Sequence, residues 1–205
     1  MSAVPVLHYF NLGRLGRGEI VRLFLTELGI EYKDELYEYN EEWKTKKDEL
    51  KLNLTGTLPV LDIDGHRLSQ HLPILRYLSR RAGGYDGDSN YEKFLVDAVS
   101  DVYIDYRAAW VASLVSGVTD EYKNETAPRA IRVFDSYYKE HSGPFLLGDR
   151  ITYVDFAVYQ ILHNDSAAGA QPEIPASLKK LQEAIENRPK LKEFIAKREA
   201  ARGGS

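Results

Sequence analysis

The sequence predicts a small α/β domain, residues 1–82, followed by an all-α domain, residues 90–200. Up to residue 82, short apolar segments suited to strands alternate with segments of helical periodicity. A turn-rich stretch at residues 83–90 then separates the two parts. Beyond it the sequence shows amphipathic helical patterns and no strand pattern, so we expect the second part to be built from helices alone.

The predicted α/β domain begins with a strand and a helix. Residues 4–10 are mostly apolar and end in two aromatic residues, which is typical of a buried strand. Residues 19–28 carry apolar side chains at helical spacing and are followed by Gly29, a residue type that often ends helices. Residues 31–36 are a second candidate strand. Residues 39–50 are polar and rich in lysine and predict a short helix at most.

A hairpin and a helix complete this domain. Residues 60–63 make a short apolar strand, and Asp64-Gly65 is a strong two-residue turn sequence. Residues 66–68 supply the returning strand. Ser69 or Gln70 then opens the helix.

Pro59 stands at the mouth of the strand, where its missing N–H is tolerated and a cis Leu58–Pro59 bond is expected. A cis bond would turn the N–H and C=O of Leu58 outward, free to pair with an extended ligand. Residues 70–71, at a helix start, would offer unpaired backbone N–H groups to a carboxylate. The hairpin region therefore predicts a binding site for an extended, acidic ligand.

The all-α domain is predicted from helical periodicity and helix-start residues. Thr152 and Asp155 form a capping box after Ile151, and two later helices begin at a proline, which is tolerated in the first turn. The predicted helices span residues 91–116, 124–141, 152–163, 175–186 and 189–198.

Composition excludes several classes of function. The formal net charge of −4 and the lack of a basic stripe exclude a nucleic-acid binder. There is no cysteine, which excludes disulfides, thiolate metal sites and a catalytic protein thiol, so any thiol chemistry must come from the substrate. The five histidines show no metal-binding spacing, and we predict no metal.

We expect a cytoplasmic protein that does not span a membrane. No run of about 18 apolar residues is present. The N-terminal residues lack the charged and apolar segments of a secretion signal.

The segment from Thr57 to His71 resembles the glutathione-binding half of the cytosolic glutathione transferases. Further matching segments occur in family order over nearly the whole chain. They are His8-Tyr9-Phe10-Asn11, Arg17-Gly18-Glu19-Ile20, Trp43, Val96-Asp97, Thr152 with Asp155-Phe156, and Asn187-Arg188-Pro189. The pattern is of the tyrosine type and most similar to the sigma class. The resemblance implies an N-terminal thioredoxin-like domain that binds glutathione, an all-helical C-terminal domain and a homodimer.

For catalysis, the resemblance implies that Tyr9 donates a hydrogen bond to the sulfur of glutathione and stabilises its thiolate. Arg17 matches the arginine near that sulfur. Between Tyr9 and Glu19 the chain carries about two residues more than the sigma pattern, so Arg14 is a rival for this role.

Seven positions match residues that bind glutathione. Trp43 and Lys47 match contacts with its glycine end, with Lys44 and Lys46 as rivals for Lys47. Gln70 matches the residue that holds the γ-glutamyl end, and His71 replaces the usual serine; a histidine there is able to carry charge near neutral pH. The remaining matches are Leu58 and Pro59, and Asp105, which in a family dimer reaches the partner's glutathione.

The resemblance also implies a hydrophobic-substrate site between the first loop and the long fourth helix. The candidate residues are Phe10, Leu12, Tyr106 and Trp110, together with Leu15 and Leu114. Apolar residues at helical spacing are equally typical of a core.

Three functions are compatible with these residues. The first is a glutathione transferase that adds glutathione to an apolar electrophilic small molecule. The second is a glutathione-dependent isomerase or lyase that acts by addition and elimination on a specialised substrate and returns the glutathione. The third is a non-catalytic ligand-binding protein of the same fold.

Overall fold

A computed structural model describes the backbone of residues 3–200 and the side chains of residues 3–198. Its sheet has four strands, in the spatial order β2-β1-β3-β4. Strand β1 pairs parallel with β2 and antiparallel with β3, and β3 and β4 form a hairpin. The strands are β1 (Val6–Phe10), β2 (Lys33–Tyr37), β3 (Val60–Ile63) and β4 (His66–Ser69).

Three helices accompany the sheet: α1 (Gly16–Leu28), α2 (Glu42–Leu50) and α3 (His71–Ala82). Helix α1 starts three residues before the predicted position and ends, as predicted, at Gly29 with a left-handed φ of 67°. The predicted turn at Asp64-Gly65 is confirmed, because both residues have positive φ. The Leu58–Pro59 bond is cis, also as predicted.

The rest of the described chain is helical, as the sequence predicts. The elements are α4 (Asn90–Ser116), a π-helical turn (Tyr122–Thr126), α5 (Ala127–Tyr138), α6 (Tyr153–Ala167), α7 (Ala176–Glu186) and α8 (Pro189–Ala200). The helix predicted over residues 124–141 is therefore shorter: its predicted start lies within the π turn, and α5 begins directly after that turn. The capping box of Thr152 and Asp155 is confirmed at the start of α6.

Helix α6 joins the two parts of the fold. It packs against α1 on one side and α4 on another, and nearly all of its side chains are buried. Its polar residues hold the loop that follows β1: Gln160 donates to the carbonyl of Arg14 at 2.7 Å, and Asn164 accepts from the N–H of Gly16 at 3.3 Å. The loop beside the end of β1 is thus fixed by the helical part.

Within the part of the chain that is described, no helix is long and apolar enough to cross a membrane.

Candidate active site

The side chain of Tyr9, at the end of β1, is packed against the start of α1. It is 3% exposed, and its hydroxyl oxygen accepts a hydrogen bond of 2.9 Å from the backbone N–H of Arg17. The ring lies directly over Gly18, where an added Cβ would stand 2.2 Å from Cδ1 of the ring. A Cβ added at Gly16 would stand 2.5 Å from the hydroxyl oxygen. Two glycines therefore allow the phenol to sit against the helix start.

A cleft of about 390 Å³ is lined by Arg17, whose N–H bonds to the Tyr9 hydroxyl, while Tyr9 itself is not among the lining residues. The cleft brings together five predicted residues: Phe10, Arg17, Trp43, Lys47 and Leu58. Tyr9 belongs to the same packed cluster as Trp43 and Leu58. The cleft is also lined by residues that were not predicted, namely Tyr39, Asn40, Glu41, Gly56 and Thr57, and by Lys44.

Of the two lysines that line the cleft, Lys47 is the one whose charge is not paired with a described carboxylate. Lys44 pairs with Glu41 at 2.6 Å, and the amine of Lys46 lies 5.4 Å from the centre of the Tyr37 ring. Lys47 makes no ion pair with any residue between 3 and 198. Because Trp43 and Lys47 are four residues apart on α2, they share one face of the helix.

The main chain of Leu58 borders the same cleft. In the described part of the chain, neither its N–H nor its C=O pairs with the backbone of another residue. Pro59 follows immediately. The structure thus leaves both peptide groups of Leu58 without a backbone partner at the edge of the cleft.

Of the two candidate arginines, Arg17 is the one beside Tyr9. Its backbone bonds to the Tyr9 hydroxyl and its side chain lines the cleft. The side chain of Arg14 is buried and bonds to Tyr159 on α6. The extra residues of the loop therefore carry Arg14 away from the cleft.

Gln70 and His71 stand at the start of α3 but face different surroundings. Gln70 is exposed and has a φ of 68°, which is unusual for a residue with a side chain. His71 is the first residue of the helix, is 2% exposed, and packs edge-on against Tyr103 with ring centres 5.6 Å apart. At this helix start the side chain of Gln70 is therefore accessible to a ligand, whereas the ring of His71 is buried.

The expectation that His71 carries charge near neutral pH is wrong. Burial lowers the pKa of its ring well below the usual value, and the positive charges of Arg17, Arg107 and Arg76 lower it further. The imidazole is therefore neutral.

His71 belongs to a group that we call the donor cluster: Arg17, His71, Tyr103 and Arg107. The hydroxyl of Tyr103, both ring nitrogens of His71 and the Nε atoms of both arginines are buried without a hydrogen-bond partner among residues 3–198. Burial lowers the pKa of Arg107, and the neighbouring charge of Arg17 lowers it further. The cluster is rich in hydrogen-bond donors and positively charged.

Tyr103 and Arg107 are not among the residues predicted from the sequence. Both follow from the pattern of α4, however, because its buried stripe contains Val99, Tyr103, Tyr106 and Trp110. Arg107 lies four residues after Tyr103 and three before Trp110, on that same face. An arginine on the core-facing stripe of a helix is the local feature that marks this position.

The remaining predicted residues are not in the cleft. Asp105 is exposed on α4 and lines a separate depression of about 460 Å³ beside α5. Leu12 is partly exposed on the loop after β1, and Trp110 is buried in the core. Tyr106 is buried, and its hydroxyl donates to Asp165 at 2.5 Å in the helical part. Within residues 3–198 no group of histidine, aspartate and glutamate is arranged to hold a metal ion.

Comparison with known families gives matches to both parts of the chain. Residues 18–81 match the family model described as the N-terminal domain of glutathione S-transferase. Residues 104–198 match the model of the C-terminal domain of glutathione S-transferase.

Individual proteins match over nearly the full length. Glutathione S-transferase P 10 of Caenorhabditis elegans is 32% identical, over 97% of this chain and 93% of that protein. A glutathione S-transferase structure from Caenorhabditis elegans gives a TM-score of 0.81 at 30% identity, covering 97% of this chain and 99% of that one. The structure of prostaglandin synthase D of Nilaparvata lugens gives a TM-score of 0.76 at 26% identity, covering 96% and 98%.

Proposed function

Because the chain belongs to the glutathione S-transferase family, a family of enzymes, we propose that its cleft holds glutathione as a thiolate next to Tyr9 and presents it to an apolar electrophilic small molecule. The sulfur attacks the electrophilic carbon and a C–S bond forms. The displaced electron pair leaves with the departing group or, in an addition to a double bond, takes up a proton.

One observation carries this proposal: the Tyr9 hydroxyl accepts its hydrogen bond from the Arg17 N–H. The phenolic proton is therefore free to donate to a second acceptor, and the bond that the oxygen accepts strengthens its own donation. The guanidinium of Arg17 borders the same cleft and adds a positive field.

One hydrogen-bond donor is sufficient to stabilise the thiolate to the required extent. A thiol with a pKa of about 8.5 is only a few per cent ionised at neutral pH. Lowering that pKa by about 2 units needs about 2.7 kcal/mol of preferential stabilisation of the anion. One hydrogen bond to a charged group contributes about 1.5–3 kcal/mol.

The rest of the tripeptide has matching groups along the cleft and at the start of α3. We assign the glycine carboxylate to Lys47 beside Trp43, because Lys47 lines the cleft and, unlike Lys44, makes no ion pair with a described residue. The peptide groups of Leu58, before Pro59, would pair with the cysteinyl backbone. Gln70 and the backbone N–H of His71 would hold the γ-glutamyl end at the start of α3.

We also propose a homodimer in which Asp105 reaches the glutathione of the second subunit. Asp105 is exposed and lies outside the cleft of its own chain, which supports a role toward a neighbour. The electrophile would sit beside Phe10 and Leu12, which are accessible members of the predicted hydrophobic site at the end of β1 and in the loop after it.

A second candidate is a glutathione-dependent isomerase or lyase, which uses the same thiolate and returns it after elimination. It is supported by the similarity to a structure named prostaglandin synthase D. The number of glutathione molecules consumed per molecule of product separates the transferase from the isomerase. A transferase consumes one, and an isomerase consumes none.

The ultraviolet absorbance of the thiolate tests the proposal and separates it from a non-catalytic binding protein. Titration of glutathione into the wild-type protein should produce a thiolate signal at neutral pH, and Tyr9→Phe should remove most of it. Tyr91→Phe is the matched control, because Tyr91 is 68% exposed on α4. A thiolate signal of equal size in Tyr9→Phe would reject Tyr9 as the donor, and no signal in the wild type would reject the function.

A further inference from the structure

We propose that Arg107, together with Arg17, binds an anionic group of the electrophile, so that this enzyme prefers electrophiles that carry a carboxylate near the reactive carbon. The inference rests on the proposed function, because it concerns the second substrate of that reaction. The sequence predicts a purely apolar electrophile, and the present proposal adds an acidic group to it.

The first support is the set of unpaired donors in the donor cluster. Tyr103 is fully buried and His71 is 2% exposed, yet the hydroxyl of Tyr103 and both ring nitrogens of His71 have no partner among residues 3–198. A buried polar group without a partner costs about 1–3 kcal/mol. A neutral imidazole has one N–H donor, so the unpaired donors are the Tyr103 hydroxyl, one ring nitrogen of His71 and the Nε of each arginine, and together they indicate a ligand that brings acceptor atoms.

The second support is the contrast with the other partly buried arginines of the chain. Arg22 pairs with Asp34 at 2.6 Å, Arg76 with Asp97 at 2.9 Å, and Arg188 with Glu27 at 2.8 Å. Arg17 and Arg107 make no ion pair with any described residue. The charge of Arg17 instead helps to lower the pKa of Arg107, so the two guanidiniums are close enough to repel each other, and an anion bound by both would relieve that repulsion.

The third support is the position of this charge relative to the reactive sulfur. Arg17 is bonded through its backbone to the Tyr9 hydroxyl and lines the cleft. Arg107 approaches from α4, on the helical side, and is near enough to Tyr9 to interact with it electrostatically. An anion held by both guanidiniums would therefore lie near the proposed position of the sulfur.

Carboxylate is the chemical class that fits this arrangement. Guanidinium groups bind carboxylates with two parallel hydrogen bonds, and a neutral His71 and the Tyr103 hydroxyl can each donate one more. Three or more donors around one carboxylate would select an acid over the corresponding ester, because the ester has no charge and fewer acceptor sites.

The test uses titration calorimetry to compare the binding of two ready-made conjugates. They are S-(4-carboxy-2-nitrophenyl)glutathione and the same compound with a methyl ester on its aryl carboxyl group. Both contain the whole tripeptide and differ only at the carboxyl group. We expect the wild-type enzyme to bind the acid about tenfold more tightly than the ester, which corresponds to about 1.4 kcal/mol. Arg107→Gln should reduce this ratio to about one.

Two further variants make the result specific. Arg132→Gln removes the same charge from an exposed position on α5 and should keep the wild-type ratio. Arg107→Lys keeps the charge without the two-pronged geometry and should give an intermediate ratio, which serves as the test if Arg107→Gln does not fold.

An acid-to-ester ratio that is the same in the wild type, Arg107→Gln and Arg107→Lys would overturn the inference. So would an equal loss of affinity for glutathione alone in Arg107→Gln, because the bound anion would then belong to the tripeptide. Neither conjugate has a thiol, so this measurement is separate from the thiolate test. A missing thiolate signal rejects the proposed function, whereas a missing acid preference rejects the role of Arg107.

Discussion

The phenolic oxygen of Tyr9 lies 2.9 Å from the backbone nitrogen of Arg17 and accepts its hydrogen bond. The first turn of α1 therefore sets the direction of the Tyr9 side chain. This contact is possible because Gly16 and Gly18 have no side chains to collide with the ring. The orientation of the proposed catalytic donor thus depends on the first turn of α1 and on its two glycines.

The first prediction concerns Gly18→Ala. The new Cβ would stand 2.2 Å from a ring carbon of Tyr9, so the ring must move by more than an ångström from its present place. We expect the thiolate signal and kcat with a chloronitrobenzene to fall at least tenfold, because a misplaced donor loses most of its effect.

Gly84→Ala is the control for that variant, since a Cβ at residue 84 meets no atom within 4 Å. It should leave both readouts unchanged. Full thiolate formation in Gly18→Ala would show that the placement of Tyr9 does not depend on this contact.

The second prediction concerns Lys47. If its amine binds the glycine carboxylate, Lys47→Gln should weaken glutathione binding about tenfold, the size of one lost charged hydrogen bond. Lys44→Gln should have little effect, because that lysine is already paired with Glu41. Calorimetry with glutathione gives both values.

The dipeptide γ-glutamylcysteine provides a check on the same variant. It lacks the glycine, so wild type and Lys47→Gln should bind it equally. If Lys47→Gln weakens the dipeptide as much as glutathione, the lysine acts on another part of the ligand or on the fold.

The elements that follow from local residue chemistry are predictable from the sequence. Gly29 ends α1, Asp64-Gly65 makes the hairpin turn, and Thr152 with Asp155 caps α6, all as expected. In each case the decisive interaction joins residues at most a few positions apart. The cleft residues on β1, α2 and the segment before β3 were predicted from the family resemblance.

The parts that were not predicted depend on how distant elements meet. Asp155 also accepts hydrogen bonds from Tyr138 and from the N–H of Leu146, and neither is visible in the capping pattern. The burial of His71 against Tyr103 and the approach of Arg107 to Arg17 require α4 to pack against the starts of α1 and α3. No spacing within one segment contains that information.

The third prediction concerns the buried carboxyl of Asp165, which is 1% exposed. Tyr106 and Tyr122 donate to it at 2.5 and 2.8 Å, across the contact of α4 and the π turn with α6. Burial raises its pKa to about 6, although the two hydrogen bonds favour the charged form. Desolvation therefore outweighs both hydrogen bonds.

The sign of the pH dependence follows from the two pKa values. The folded value of about 6 lies above the usual value of 3.8, so between these pH values the folded state binds more protons than the unfolded state. The free energy of unfolding should therefore rise as the pH falls from about 6 to about 4. The full difference is about 3 kcal/mol, from about two pKa units.

Asp165→Asn should remove this dependence, because the amide has no proton to gain. Urea unfolding of both proteins from about pH 7 to about pH 4 measures it, and the quantity to compare is the difference between wild type and variant. Other carboxyl groups contribute equally to wild type and variant, so their contributions cancel in this difference. In the folded protein Glu92, whose pKa is lowered to about 2, titrates mainly below this range. A wild-type-minus-variant difference that stays constant over the whole range would mean that Asp165 is ionised in the folded protein throughout.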